Sequence, residues 1–232
     1  MGSEIDILRE EIHELTGRII EEEGGSTIPL MEVCGTHTVA LRRTGVLSLL
    51  PENLRLVSGP GCPVCVTPAT YIQNALTMLK EGAVIATFGD MLKVPGPDNQ
   101  SLSAYMGTER VKIIYSPWEL VEIAEQTKGH VVFLGIGFET TIPTIASVFL
   151  RVHTEGIGNL FLYSACKLVP PALKALIRDP DFSIRGFLLP GHVSTIIGME
   201  PYHFLCQEDL DPEKKHGTKT IGIPGVITGF EG

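Results

Sequence analysis

Two cysteine motifs stand within about thirty residues of each other, Cys34-Gly35-Thr36-His37-Thr38 and Gly59-Pro60-Gly61-Cys62-Pro63-Val64-Cys65. A cysteine sulfur serves as a soft metal ligand, a nucleophile or an electron carrier. Each motif follows a short apolar run and precedes a helix-like run, which places it on a loop at the end of a strand. The pattern points to thiol and metal chemistry and away from ordinary hydrolysis.

Cys62 and Cys65 have dithiol spacing, and three readings stand open: a redox pair at a helix start, where the dipole lowers a thiol pKa; half of a structural zinc site; or ordinary loop cysteines. No second Cys-x-x-Cys or histidine pair completes a zinc set. Beside Cys34, His37 is placed to ligate, to shuttle a proton or to stabilise a thiolate, or it is a plain core or surface histidine. Asp90 and Glu139 follow strands next to glycine; each is an acid, a base or an orienter for His37, or a helix cap. His192, after Pro190-Gly191, carries the same ambiguity. Cys166 and Cys206 lie in apolar surroundings and read as structural. Gly135-Ile136-Gly137 lacks the third glycine of a dinucleotide loop and is discounted.

These residues must be positioned by a regular scaffold. Residues 3–23 read as an amphipathic helix, with Ile5, Leu8, Ile12, Leu15 and Ile19 on one stripe, a Ser3 cap and a stop at Gly24-Gly25. The stripe is expected to pack on its own domain. Expected strands are Ile28–Val33, Leu54–Ser58, Val84–Phe88, Val111–Tyr115, Val131–Ile136, Leu160–Tyr163, Gly186–Leu189 and Thr220–Ile223. Expected helices are Val39–Leu50, Pro68–Glu81, Pro117–Gln126, Thr141–His153, Pro170–Arg178 and a stretch near Ser194–Leu205. Thr67-Pro68 supplies a start signal, a capping hydroxyl with proline at the first helical position. Asp209–Lys219 reads as a charged, solvated loop. The fold class is α/β: two small Rossmann-like parallel-sheet units, 26–128 and 129–232, with a cleft between them, preceded by the N-terminal helix 1–25. The cysteine motifs, Gly89-Asp90-Met91, Gly137–Thr141, Pro190–Ser194 and Thr228–Glu231 would then lie at carboxyl edges of the sheets, where open parallel sheets bind ligands.

Composition narrows the function. The net charge of −9 leaves no basic surplus to neutralise phosphates, which argues against nucleic-acid binding. The longest apolar runs, such as Val131–Phe138, are strand-sized, so no membrane partner is expected. The start, Met1-Gly2-Ser3-Glu4-Ile5-Asp6, lacks a signal-peptide core, and Asp6 occupies the position where a myristoylation motif takes Ser or Thr. Five cysteines, an odd number, fit a reducing compartment, so a cytoplasmic location is expected.

The cysteine motifs, Thr87–Met91 with Val94-Pro95-Gly96, Tyr115-Ser116-Pro117, Gly137–Thr141, Lys167–Leu173, Pro190–Ser194 and Thr228–Glu231 together resemble the hydrogenase maturation factor HypD. They occur in the family's order from about residue 30 onward. The resemblance implies an assembly scaffold with redox-active thiols more than a turnover enzyme. HypD-like proteins pair with a small HypC-type chaperone and hold one iron while it gains two cyanides and one carbon monoxide, the Fe(CN)2CO group of nickel–iron hydrogenase; a HypE-type partner donates the cyanide. On that basis Cys34 matches the iron-binding thiolate, His37 serves proton transfer or supports the ligand, Cys62 and Cys65 form the redox pair for reductive cyanide transfer, and Asp90 and Glu139 orient or protonate. The family also carries a C-terminal cysteine-bearing region holding a 4Fe–4S cluster. Its ligands are expected to be absent here, since the last cysteine is Cys206, and the N-terminal helix is expected to expose its stripe if that region was its packing partner. The competing readings are a stand-alone thiol–disulfide oxidoreductase using Cys62 and Cys65, and a structural zinc protein.

Overall fold

A computed structural model describes residues 4–206 and 222–229. Residue 3 and the expected loop 209–219 lie outside them, as do residues 220–221 of the last expected strand and 230–231 of the last motif. The chain divides into two units, one made of residues 1–61 with 169–232 and the other of residues 62–168. The junction at Lys128-Gly129, where the sequence suggests a boundary, falls inside the second unit. There it joins the helix Glu119–Gln126 to a strand of the same sheet.

The second unit shows why its residues form these elements. Its strands β3 (Val84–Phe88), β4 (Val111–Ile114), β5 (Val131–Gly135) and β6 (Leu160–Ser164) form a parallel sheet in the order β4-β3-β5-β6. Alternate residues go to opposite faces. Ile85, Val132 and Leu134 meet Ile72, Ala75, Leu76 and Leu79 of α3 (Ala69–Lys80), whereas Ala86, Val131 and Phe133 meet α4 (Glu119–Gln126) and α5 (Ile142–Glu155). Both faces are covered, so β5 is buried at every position. Ile72, Leu79 and Phe133 are fully buried, at about 1.5–3 kcal/mol of transfer free energy each. Tyr71 of α3 donates its hydroxyl hydrogen bond to the Tyr163 carbonyl at 2.5 Å and stacks on that ring at 4.4 Å, fastening α3 to β6. Helix α5 ends at Gly156, whose φ of 71° is a left-handed C-cap.

In the first unit, β1 (Ile28–Glu32) and β2 (Leu54–Ser58) join β7 (Gly186–Pro190) and β8 (Gly225–Thr228) in a parallel sheet ordered β2-β1-β7-β8. Strand β8 begins two residues past the end of the expected Thr220–Ile223 run, because Gly225–Thr228 is the segment that takes the β7 register. Helix α2 (Gly35–Arg43) starts four residues earlier than its sequence suggests and is followed by a 3-10 turn at Val46–Leu49. Helices α6 (Val169–Ile177) and α7 (Gly191–Ile197) and a 3-10 helix at Glu200–Cys206 also belong to this unit. The N-terminal helix α1 (Glu4–Glu23) is present, but its stripe is not packed away: Ile5, Leu8, Leu15 and Ile19 are exposed, while Thr16 is buried. His13 Nε2 lies 3.2 Å from the Leu49 carbonyl. The architecture is α/β with two four-stranded parallel sheets flanked by helices, and an N-terminal helix, as the alternation of apolar runs implies.

Candidate functional site

At the carboxyl end of β1 the chain stays extended for two more residues. Val33 N–H donates to the Leu188 carbonyl at 3.0 Å, and Cys34 has φ −159° and ψ 126°. Cys34 is therefore the N-cap of α2. Thr36, His37 and Thr38, expected in a loop, form the first turn of that helix. The Cys34 thiol is free and half-buried. Its backbone is gripped by the other cysteine loop, with Gly35 N–H donating to the Gly61 carbonyl at 3.3 Å. A Cβ on Gly61 would stand 2.5 Å from the Cys34 Cα, so no larger residue fits without moving the cysteine.

His37 is buried, and its Nε2 lies 2.9 Å from the Thr228 hydroxyl and 3.2 Å from the Thr228 carbonyl. Either Nε2–H donates to the carbonyl or bare Nε2 accepts from the hydroxyl. In both cases the imidazole ties α2 to the end of β8. Gly191 presses on the same residue, since its Cβ would lie 2.5 Å from the Thr228 oxygen. His192 is exposed.

One residue of this edge escaped the sequence reading. Glu32, the last residue of β1, is 3% exposed. Its Oε1 accepts hydrogen bonds from the hydroxyls of Thr38 and of Ser58, the latter at 2.7 Å. Its Oε2 is buried with no hydrogen-bond partner among the described residues. A carboxylate inside an apolar strand run, two residues before a cysteine, is the signal that pointed to it.

In the second unit, Cys62-Pro63-Val64-Cys65 forms a turn ahead of α3. Both thiols are free, with Cys62 half-buried and Cys65 exposed. Cys65 N–H donates to the Cys62 sulfur at 3.4 Å, Val66 N–H to the Cys62 carbonyl at 3.3 Å, and the Thr67 hydroxyl to the Pro63 carbonyl at 2.8 Å. Thr67 thus braces the cysteine turn instead of capping α3, and Pro68 occupies the N-cap. The Cys65 thiol is pushed up from its ordinary value. Its hydrogen bond with Cys62 is the largest cause, followed by desolvation and the Cys62 charge. A depressed thiol pKa at a helix start, as the spacing suggests, is not what Cys65 shows.

Asp90 sits on the 3-10 turn Gly89–Met91 after β3, exposed. It lines a cavity of about 470 Å³ with Phe88, Tyr115, Ser116, Thr140 and Thr141. That cavity lies past the carboxyl ends of β3 and β5, on either side of which the chain runs in opposite directions across the sheet, the usual place for a ligand in such folds. A second cavity of about 470 Å³ is lined by Cys65, Asp90, Lys93 and Val94, so Asp90 and Cys65 share a wall. Glu139 is buried in the turn before α5. Gly135 and Gly137 serve packing there, with Cβ positions 2.5 Å from Leu162 Cδ1 and from Thr141 Cβ. Cys166 is half-buried, its S–H 3.5 Å from the Gly135 carbonyl, whereas Cys206, expected in an apolar setting, is exposed.

The candidates therefore divide between the units. Cys34 and His37 belong to the first, and Cys62, Cys65, Asp90 and Glu139 to the second. Among the described residues no three His, Cys, Asp or Glu side chains gather as a metal site, and no helix is long and apolar enough to cross a membrane.

Residues 8–232 match the model of the family HypD, described as the hydrogenase formation hypA family. The chain belongs to this family. Among curated HypD proteins it is similar to the hydrogenase maturation factor of Escherichia coli K12, 39% identical over 204 residues, 87% of this chain and 52% of that protein. It also resembles those of Cupriavidus necator H16 (36% over 220 residues, 91% and 55%) and Rhodobacter capsulatus (35% over 206 residues, 88% and 52%). The chain spans about half the length of these HypD relatives.

Proposed function

We propose that this chain serves hydrogenase maturation as the thiol-bearing core of a HypD-type scaffold, handling iron as cargo while it becomes the Fe(CN)2CO group. Cys34 provides the iron thiolate, and a HypC-type chaperone contributes a second cysteine. The observation that carries this reading is the Cys34 turn. A free, half-buried sulfur stands at the carboxyl end of an interior strand, with its backbone held by Gly61 and the helix behind it anchored through His37. Soft thiolate suits iron that carries strong-field ligands.

Cys62 and Cys65 supply the electrons for cyanide transfer from a HypE-type donor bearing a thiocyanate. The two thiols become a disulfide, the donor's S–CN bond breaks, the donor regains a thiol, and cyanide leaves with the second proton. A reductant outside these residues returns the disulfide to the dithiol. His37, Asp90 and Glu139 orient groups or move protons around these steps. A cytoplasmic setting agrees with thiols that must stay reduced.

The test is co-expression with a HypC-type partner under anaerobic conditions, followed by iron analysis and infrared spectroscopy of the purified complex. Iron that is retained by the parent and lost in Cys34→Ala supports the assignment; equal iron in both removes it. A second reading, a stand-alone thiol–disulfide oxidoreductase, draws on the contact between Cys65 and Cys62. Metal-independent reduction of insulin by the isolated chain, lost in Cys62→Ala, would favour it.

A further inference from the structure

We infer that Glu32 is a positioning residue that clasps the two cysteine-bearing loops and fixes where the Cys34 sulfur stands; this rests on the reading of Cys34 as the working thiolate. Glu32 ends an interior strand and lies directly opposite Ser58 in the β1–β2 register. Its backbone carbonyl accepts the Gly59 N–H at 2.8 Å, and its Oε1 accepts the Ser58 hydroxyl at 2.7 Å. Two bonds therefore tie it to the start of the loop that runs through Gly61. The Thr38 hydroxyl donates to the same Oε1 from the first turn of α2.

Cys34 sits inside the ring that the Glu32–Thr38 bond closes. Within the ring the Thr38 N–H reaches the Cys34 carbonyl at 3.3 Å, and beside it Gly35 N–H reaches the Gly61 carbonyl. Because the chain is extended from β1 through Cys34, residues 32 and 34 project to the same face, with the buried Val33 on the other. A single carboxyl group thus sets the exit of β1, the exit of β2 and the start of α2 together.

The energetics mark it as more than filler. Glu32 is buried as deeply as its apolar neighbours, yet Oε2 has no partner among the described residues. A bare buried carboxyl oxygen costs stability that an apolar residue at this position would avoid. What the carboxyl group provides is one acceptor for two hydroxyls on different elements, which no apolar side chain can supply.

The experiment measures per-cysteine iodoacetamide rates by peptide mass spectrometry on the native, reduced chain, with Cys62 and Cys65 as internal references. Glu32→Ala is expected to raise the Cys34 rate about tenfold relative to Cys65, because both hydroxyl bonds lose their acceptor. Glu32→Gln, whose amide oxygen accepts the same two bonds, restores the parent ratio. An unchanged ratio in Glu32→Ala, or a rise shared equally by all three cysteines, overturns the proposal. Should Glu32→Ala fail to fold, Thr38→Val and Ser58→Ala each remove one bond, and an unchanged Cys34 ratio in both overturns it equally. Iron content read in parallel separates the two ideas. Iron retained in Cys34→Ala sinks the iron reading without touching the clasp, and a Cys34 rate indifferent to Glu32→Ala sinks the clasp whatever the iron does.

Discussion

Replacing Gly61 by alanine should displace Cys34 and little else. The added Cβ would lie 2.5 Å from both the Cys34 Cα and N and 2.8 Å from its carbonyl carbon. All three are backbone atoms, so no side chain can swing aside, and relief to ordinary contact requires a shift of roughly 1 Å. A shift of that size also breaks the Gly35 N–H bond to the Gly61 carbonyl, already 3.3 Å long. Overpacking and the lost bond together cost about 2–4 kcal/mol. In a chain of this size that lowers Tm by about 5–15 °C. The assay pairs a thermal melt with cysteine-resolved alkylation and uses Gly158→Ala as control, since a Cβ there meets nothing within 4 Å. The Cys34 rate should rise in Gly61→Ala, with Cys62 and Cys65 little changed. A Gly61→Ala protein that melts like the parent and alkylates at Cys34 like the parent would refute the reasoning, because a contact this short cannot be absorbed silently.

Two further outcomes follow from the titrating groups. Since hydrogen bonding to Cys62 is the largest cause of the raised Cys65 pKa, Cys62→Ala should move the inflection of the Cys65 alkylation rate downward, from above 9.0 toward its ordinary value, so that Cys65 reacts faster at pH 8; an inflection that stays put removes Cys62 as the cause. The Tyr71 hydroxyl is pushed far above its ordinary 10.0, first by burial and then by the Tyr163 and Cys166 charges. Its neutral form is the one the fold favours, so its contribution is complete below about pH 10 and is lost as pH rises beyond. Absorbance titration should show Tyr71 ionising only together with alkaline unfolding, and Tyr71→Phe should cost about 1–2 kcal/mol in a urea melt through the orphaned Tyr163 carbonyl. Ionisation of Tyr71 in the folded chain would contradict this.

Short runs rich in apolar and β-branched residues made the strands readable: Val84–Phe88, buried at its three central positions, and Leu54–Ser58, only partly buried, both coincide with the structure residue for residue. The start of α2 was not, because Gly35, Thr36 and Thr38 are poor helix formers. The turn is held from outside, by Glu32 on Thr38 and by Thr228 on His37. Glu32 lies six residues before Thr38 and outside the helix, Thr228 is 191 residues from His37, and the pairing that places β8 at Gly225–Thr228 is likewise remote from the helix in sequence. The division into units was hidden for a related reason. Alternating strands and helices look alike wherever they pair, and only the sheet orders reveal that β7 returns to β1. Among the site residues, the cysteines and Asp90 announced themselves by type and spacing. Glu32 was passed over as an ordinary strand position, although a charge in that run carried the information.

The insertion of residues 62–168 between the two parts of the first unit sets an order on synthesis. As the chain leaves the ribosome, β1 has only β2 to pair with, and two strands alone are marginal in water. The inserted sheet has all four of its strands before β7 has been translated and can settle first. Only when β8 arrives does Thr228 reach His37 and pin the helix that Cys34 caps. Cys34 is thus translated early but is held in its native turn only after β8 has been made, a wait of 191 residues between His37 and Thr228.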